Sequence, residues 1–225
     1  MRILFTIGLT IFLSNTVFGT EQEPDKIIYK GKEYDLHTNP LETYFEKYPD
    51  KRPKSKMGSS ALYRGYVATF EIIDNQLYLK DIKVMNGDTW DEEGYSVIVW
   101  KSVLNKVFPK QKLIKIDWMT GLLVLPYGER VKTTNLDFSY GSTFEHYILL
   151  EIDKGDLKTE KLLDYEKYEK FKEKQFQTFK KTEEYEKIKA KLKKAVDWDD
   201  EFIDSFLRNE IIEYTSKILV EDDEE

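Results

Sequence analysis

A strict alternation of side chains over residues 63–73 constrains the fold more than any other feature of this sequence. Arg64, Tyr66, Ala68, Phe70 and Ile72 recur at every second position and are mostly apolar. A period of two places these side chains on one face of an extended segment. The pattern predicts a strand that turns this face to the core, where the charge of Arg64 needs a partner.

The residues after this strand predict a hairpin with an irregularity. The Asp-Asn pair at 74–75 is a signal for a two-residue turn. The return segment has leucines at 77 and 79, but its next apolar residues, Ile82 and Val84, are out of phase with them. One extra residue in the strand restores the phase, so we expect a bulge near residues 80–81.

The chain divides into a β-rich part, residues 20–155, and a helical part, residues 156–218. The β-rich part includes a second expected hairpin over residues 113–125 and a last strand over residues 147–152. Residues 219–225 form an acidic tail that we expect to be disordered. The sequence predicts an α+β fold: a mostly antiparallel sheet of about six to eight strands, helices packed on one face and a C-terminal α-helical extension.

The helical part combines Lys and Glu with apolar residues at helical spacing, and we expect three helices. The apolar face changes direction near Lys181 and Thr182, which predicts a break there. A third helix is expected to begin near Asp199, whose negative charge suits the positive end of a helix. One apolar stripe is expected to pack on the sheet, and it consists of Leu162, Tyr165, Tyr168, Phe176 and Phe179.

The first nineteen residues have the pattern of a secretory signal peptide. Arg2 precedes an uncharged apolar run over residues 3–13, and Val17 and Gly19 suit a cleavage site. That run spans roughly 16 Å as a helix, about half of the hydrocarbon core of a bilayer. We therefore expect cleavage before Thr20, export to the periplasm or the medium, and no membrane span in the mature chain.

Composition argues against several classes of function. The chain has no cysteine, which excludes thiol catalysis, iron–sulfur clusters and cysteine zinc sites. The formal net charge of −7 disfavours nonspecific binding to nucleic acids or anionic membranes. We expect no cofactor and no nucleic-acid partner.

Two features raise the question of a metal. The two histidines, His37 and His146, are far apart in sequence, so a zinc site needs the fold to join both with a carboxylate. Residues 86–93 (Asn-Gly-Asp-Thr-Trp-Asp-Glu-Glu) supply oxygen ligands of the kind that calcium prefers, without EF-hand spacing. The ordinary interpretation is isolated histidines and a solvated loop with Trp90 lying on the sheet, so we predict no metal.

The candidate ligand site consists of Arg64, Asp117, Trp118, Tyr140 and Glu145. An aromatic wall beside carboxylates suits a sugar or a peptide. Asp117 and Glu145 are also the pair to test as general acid and base. The structural alternatives are that Arg64 pairs with a carboxylate and that Asp117 binds backbone donors in a turn.

Four stretches resemble a family of uncharacterised bacterial proteins. They are residues 63–72 (Tyr-Arg-Gly-Tyr-Val-Ala-Thr-Phe-Glu-Ile), 77–79 (Leu-Tyr-Leu), 117–121 (Asp-Trp-Met-Thr-Gly) and 140–145 (Tyr-Gly-Ser-Thr-Phe-Glu). The resemblance covers roughly residues 63–155. It implies one β-rich domain and transfers no catalytic residue.

Two functions from different classes remain open. The first is an exported, non-enzymatic binding or interaction module whose partner is a protein or a carbohydrate. The second is a hydrolase of polysaccharide or peptide that uses a carboxylate pair. The sequence contains none of the common nucleophile or metal-binding motifs, which favours the first. The distance between Asp117 and Glu145 distinguishes the two.

Overall fold

The computed structural model describes residues 21–56, 58–111, 113–131, 143–195 and 198–220, which form a mixed sheet of nine strands and six helices. The strands are β1 (Asp25–Tyr29), β2 (Lys32–Leu36), β3 (Val67–Ile73), β4 (Gln76–Trp90), β5 (Ser96–Ser102), β6 (Ile114–Lys115), β7 (Gly121–Val131), β8 (Thr143–Asp153) and β9 (Asp156–Asp164). The helices are α1 (Glu42–Lys47), α2 (Leu104–Val107), α3 (Tyr165–Phe179), α4 (Glu183–Ala195), α5 (Asp200–Asn209) and α6 (Ile211–Tyr214).

The strands follow the order β2-β1-β3-β4-β9-β8-β7, and β5 and β6 pair with β4 outside this path. All pairs are antiparallel except β1 with β3. Strand β2 runs opposite to β1, and the long connection through α1 then reverses the chain again, so that β3 runs parallel to β1. The α+β class is confirmed, although the sheet is mixed and has more strands than expected.

The two ends of the strand path approach each other, because the sheet curls. The amide of His37, just after β2, donates to the carbonyl of Val124 in β7 over 2.9 Å. The amide of Val124 donates in turn to Thr38 Oγ1 over 3.0 Å. The concave side holds the larger core, in which Tyr66, Ala68 and Phe70 are fully buried. The predicted inward face is therefore confirmed, but the strand begins at Val67 instead of Tyr63, because Gly65 has a φ of +82° and the chain turns before it.

The predicted turn and bulge between β3 and β4 are both present. Asp74 and Asn75 have φ values of +49° and +59°, the left-handed geometry of a tight hairpin turn. Thr69 lies opposite Asp81 and Phe70 lies opposite Leu79. Lys80 is therefore the extra residue that restores the apolar phase of β4.

Helices α3, α5 and α6 cover the outer face of β7 and β8. The ring of Tyr168 stacks on that of Tyr147 with centroids 3.9 Å apart. Phe176 and Phe179 are fully buried in the same cluster, over Leu122 and Leu149. The expected packing on the sheet is confirmed for Tyr168, Phe176 and Phe179. Strand β7 is buried on both faces from Gly121 to Pro126.

Three expectations about residues 113–164 were wrong. Residues 156–164 form strand β9 instead of a helix, because Lys154 and Gly155 make a left-handed two-residue turn. Strand β8 is therefore not the last strand, and Leu162 lies 62% exposed on β9 instead of on a helix. Residues 113–125 do not form a hairpin, because β6 pairs with β4 and β7 pairs with β8.

The helix boundaries near residues 181 and 199 match the sequence. Helix α3 ends at Phe179 and α4 begins at Glu183, which confirms the predicted break. The carboxylate of Asp199 accepts from the amide of Phe202 over 2.8 Å and caps α5. The expected third helix is divided, since α5 ends at Asn209 and α6 begins at Ile211, so the described helical part has four helices instead of three. In the described ranges, no helix combines the length and the apolar character needed to cross a membrane. Two residues of the expected disordered tail, Leu219 and Val220, pack against the helical cluster, and residues 221–225 lie outside these ranges.

Candidate interaction site

Arg64 is buried and forms an ion pair inside the protein. Its guanidinium Nη2 lies 3.4 Å from Asp25 Oδ1 and donates to the carbonyl of Glu23 over 3.0 Å. Asp25 Oδ1 also accepts from the amide of Ala68 over 2.8 Å. Only 4% of Arg64 is exposed. The structural alternative for Arg64 is therefore the one observed, since a dissolved anion has no access to it.

Burial has the largest effect on the pKa of Asp25. The carboxyl of Asp25 is fully enclosed, and this loss of hydration raises its pKa from 3.8 to about 7, against the opposing charge of Arg64. Next to it, burial alone would raise the pKa of Glu42, but hydrogen bonds from Arg52 and Tyr66 lower it overall. Arg52 binds Glu42 through two hydrogen bonds of 3.0 and 2.8 Å. The hydroxyl of Tyr66 donates to Glu42 over 2.8 Å, which holds α1 against the residue just before β3.

Trp118 belongs to an aromatic cluster at one end of the main core. Its ring lies parallel to that of Phe108, with centroids 6.1 Å apart, and 4.8 Å from that of Tyr44. Its indole N–H donates to the carbonyl of Pro40 over 3.1 Å. Both the ring faces and the polar edge of Trp118 are therefore engaged within the fold, whereas Asp117 beside it is exposed.

Asp117 and Glu145 lie at opposite ends of the β7–β8 hairpin. Gly121 pairs with Ile152 near the first end, and Tyr127 pairs with His146 near the second. Six residues of antiparallel strand separate these pairs by about 20 Å. Carboxylate pairs of glycosidases lie roughly 5–9.5 Å apart. Asp117 and Glu145 therefore cannot act as an acid/base pair in this structure.

Glu145 has a local role, and Tyr140 lies outside the described residues. A carboxylate oxygen of Glu145 accepts from the amide of Glu129 over 2.9 Å. Together with Val131, Tyr165 and two further carboxylates, Glu145 lines a shallow, open cleft. The predicted site residues are thus distributed over separate parts of the fold.

The acidic segment at residues 86–93 is a hairpin arm instead of a loop. Strand β4 continues through it to Trp90 and pairs with β5, after a bulge at Asn86. Trp90 is 72% exposed, so it does not lie on the sheet as expected. The described ranges contain no group of three or more His, Asp or Glu residues placed to hold a metal ion.

This arm, residues 84–102, is the most unusual surface of the described chain, and we name it the β4–β5 ribbon. Every residue of β5 is exposed. The exposed fractions of its apolar side chains run from 44% for Val97 to 37% for Trp100, and Tyr95 and Trp90 are exposed at the tip. Adjacent exposed apolar residues of this kind are typical of interaction surfaces, because a partner that covers them removes apolar surface from water.

The outer edge of β5 is also available for pairing. Among the described strands, β5 pairs only with β4. The amide of Asp91 donates to the carbonyl of Tyr95, and the amide of Val103 donates to that of Ile82. Odd-numbered residues of β5 therefore turn their backbone groups toward β4, and even-numbered residues turn theirs outward. The outward set is Ser96, Ile98, Trp100 and Ser102.

The sequence of residues 97–100 indicates a strand but does not indicate that the strand is exposed. An unbroken run of Val, Ile, Val and Trp is typical of a strand buried on both faces. The exposure could not be predicted locally, because it depends on the tertiary structure: no other described element packs on either face of β5. Comparisons with family models, with curated proteins and with solved structures found no match. The resemblance described above stays a prediction.

Proposed function

We propose that this protein is a non-enzymatic interaction module that binds an extended segment of a partner protein along the outer edge of β5. One observation carries the proposal: β5 is exposed in every residue, apolar on both faces and paired on one edge. A peptide that adds a strand gains main-chain hydrogen bonds from the edge and apolar contacts from alternate side chains.

The composition of the edge supports a binding role. Folded proteins usually protect an exposed edge strand with charges, proline or short length. Strand β5 has seven residues, no proline and a single charge, Lys101. Such an edge strand is prone to aggregation unless a specific partner covers it.

A peptide library tests strand addition directly. Random peptides displayed on phage are selected on the wild-type chain and then measured on Ile98→Pro and on Ile98→Ala. Proline at 98 removes an outward N–H but leaves the bonds from β5 to β4 in place. We expect selected peptides to lose at least about tenfold in affinity on Ile98→Pro and less on Ile98→Ala. Peptides that bind Ile98→Pro as well as wild type would refute strand addition.

A carbohydrate partner is the second candidate for the same ribbon. Trp90 pairs with Ser96, so its ring lies on the same face as that of Trp100, with Asp88 opposite Ile98 between them. Aromatic rings on one face suit stacking on sugars. Such binding would depend on Trp90 and Trp100 but not on the backbone of Ile98, so Ile98→Pro separates the two candidates.

We further propose that the module acts outside the cytoplasm, because residues 1–19 have the pattern of a signal peptide. Expression of the full chain in a bacterium, followed by mass spectrometry of the exported protein, tests this. We expect Thr20, or a residue within about two of it, at the N-terminus. Exported protein that retains Met1 would contradict the proposal.

A further inference from the structure

We propose that the partner strand at β5 is β5 of a second copy of the same chain, so that two ribbons pair antiparallel about a two-fold axis through Val99. This inference rests on the proposed function and specifies its partner. It is carried by the backbone register, by the side chains that this register brings together and by the charges at the two ends of the ribbon.

The backbone of β5 suits pairing with itself. A two-fold axis at Val99 places Ile98 opposite Trp100 of the second copy and Ser96 opposite Ser102. All four outward residues of one copy then meet outward residues of the other. Each such pair exchanges two backbone hydrogen bonds, as in any antiparallel ladder. An axis at Ile98 or at Trp100 would leave one outward residue without an outward counterpart.

The same register brings compatible side chains together. On one face, each Ile98 lies against Trp100 of the other copy, a β-branched and aromatic pair of the kind that stabilises sheets. On the other face, the two Val99 side chains meet at the axis, and Val97 lies beside the aliphatic stem of Lys101. The two Lys101 charges do not face each other, so no like charges oppose each other across the pairing.

Charge at the two ends of the ribbon is complementary. The tip carries Asp91, Glu92 and Glu93, and the base carries the exposed Lys101 and Lys106. Antiparallel pairing places the acidic tip of one copy beside the basic base of the other, at both ends of the interface. A parallel arrangement would place tip against tip and repel. The two-fold arrangement therefore offsets the repulsion expected between two chains of net charge −7.

Single cysteines test the axis, because the natural chain has no cysteine to compete. Val99 of the two copies forms a pair without direct hydrogen bonds, where Cα atoms lie about 4.5 Å apart, within the range that a disulfide spans. Val97 lies on the same face and is at least as exposed as Val99, but the two Val97 positions are separated by about 14 Å. Under mild oxidation we expect Val99→Cys to form a covalent dimer as the main product and Val97→Cys to stay largely monomeric.

Sedimentation of the cysteine-free chain tests the association itself. A seven-residue strand is a short interface, so we expect a reversible dimer with a dissociation constant of about 1–100 µM. Ile98→Pro is expected to weaken it at least about tenfold. Lys101→Glu is also expected to weaken it, and adding Glu92→Lys and Glu93→Lys in the same chain is expected to restore it, because the charges at each end are then exchanged.

Two results would overturn the proposal: a monomer up to about 100 µM, or equal crosslinking at residues 97 and 99. Failure of the dimer and failure of the proposed function remain distinguishable. A monomer that still binds selected peptides through Ile98 keeps strand addition and rejects the second copy as its partner. If the chain is monomeric and binds no such peptide, both strand addition and the dimer are rejected. If the monomer binds polysaccharide through Trp90 and Trp100, carbohydrate binding replaces both proposals.

Discussion

The β7–β8 hairpin and the β4–β5 ribbon are made of similar residues but have opposite surroundings. Strand β7 begins Gly-Leu-Leu-Val-Leu, and β5 reads Ser-Val-Ile-Val-Trp over its first five residues. The first stretch is buried on both faces, by the main core and by helices α3, α5 and α6. The second is exposed on both faces. An apolar strand sequence therefore does not determine its own burial, which depends on the elements that pack beside it.

The largest test of this comparison removes the cover from β7 and β8. A chain that ends at Asp164 keeps the whole sheet but loses α3 to α6. The helical cluster contributes Tyr168, Phe171, Phe176 and Phe179, and each side chain stabilises by about 1.5–3 kcal/mol when buried. Their sum rivals the whole stability of a typical domain, about 5–15 kcal/mol.

We therefore expect the shortened chain to aggregate or to melt at a much lower temperature, as measured by circular dichroism. A chain in which a short turn replaces residues 88–97 is the control, because it removes the tip of the ribbon, where no residue is buried. We expect that control to melt close to the wild-type temperature. An unchanged melting temperature after removal of the helices would show that the sheet is stable without its cover.

A matched pair of aromatic substitutions tests the same contrast at single residues. Phe176 is fully buried under the helices and Trp90 is exposed on the ribbon. Phe176→Ala leaves a cavity and is expected to reduce the free energy of unfolding by about 3–5 kcal/mol. Trp90→Ala is expected to change it by less than about 0.5 kcal/mol. Denaturant titration measures both, and equal effects would mean that the ribbon is packed in solution.

The buried carboxyl of Asp25 predicts that the free energy of unfolding depends on pH. Asp25 has an ordinary pKa of 3.8 in the unfolded chain and about 7 in the fold, because burial disfavours its charge. Between these values the folded state binds more protons than the unfolded state. This group therefore makes stability fall as pH rises through that window, by up to about 1.4 kcal/mol per pH unit.

Asp25→Asn is expected to remove this dependence, while its side-chain oxygen retains the bond from the amide of Ala68. Chemical denaturation at several values between about pH 5 and 7 measures it, since ordinary carboxylates are ionised there. Asp91→Asn on the ribbon is the control and is expected to leave the wild-type slope intact. The idea fails if the slope is the same in Asp25→Asn as in the wild type.

A small effect on stability together with a loss of binding is expected at Ile98. Ile98→Ala removes an exposed side chain from β5, so its unfolding free energy is expected to stay within about 0.5 kcal/mol of wild type. Its affinity for strand-forming peptides is expected to fall, because Ile98 lies at the centre of the edge. Thermal melting and peptide titration of the same preparation test both. A large loss of stability would show that the ribbon supports the fold.

The local sequence determined the elements whose signals lie within a few residues. The alternation from Tyr66 to Phe70 fixed the inward face of β3, because side chains of a strand alternate by geometry. The phase change after Leu79 located the bulge at Lys80, and Asp199 marked the start of α5 by its cap. The helical stripe of Tyr168, Phe176 and Phe179 indicated the surface that covers the sheet.

Only the tertiary structure decided which of these elements meet. Asp117 and Glu145 belong to one hairpin but lie at its opposite ends, and Arg64 finds its carboxylate at Asp25, 39 positions earlier in the chain. The apolar run of β5 stays uncovered while the similar run of β7 is enclosed. These outcomes depend on strand order and register, which arise from contacts between residues distant in sequence. Local periodicity predicts which face of an element is apolar but not which distant element covers that face.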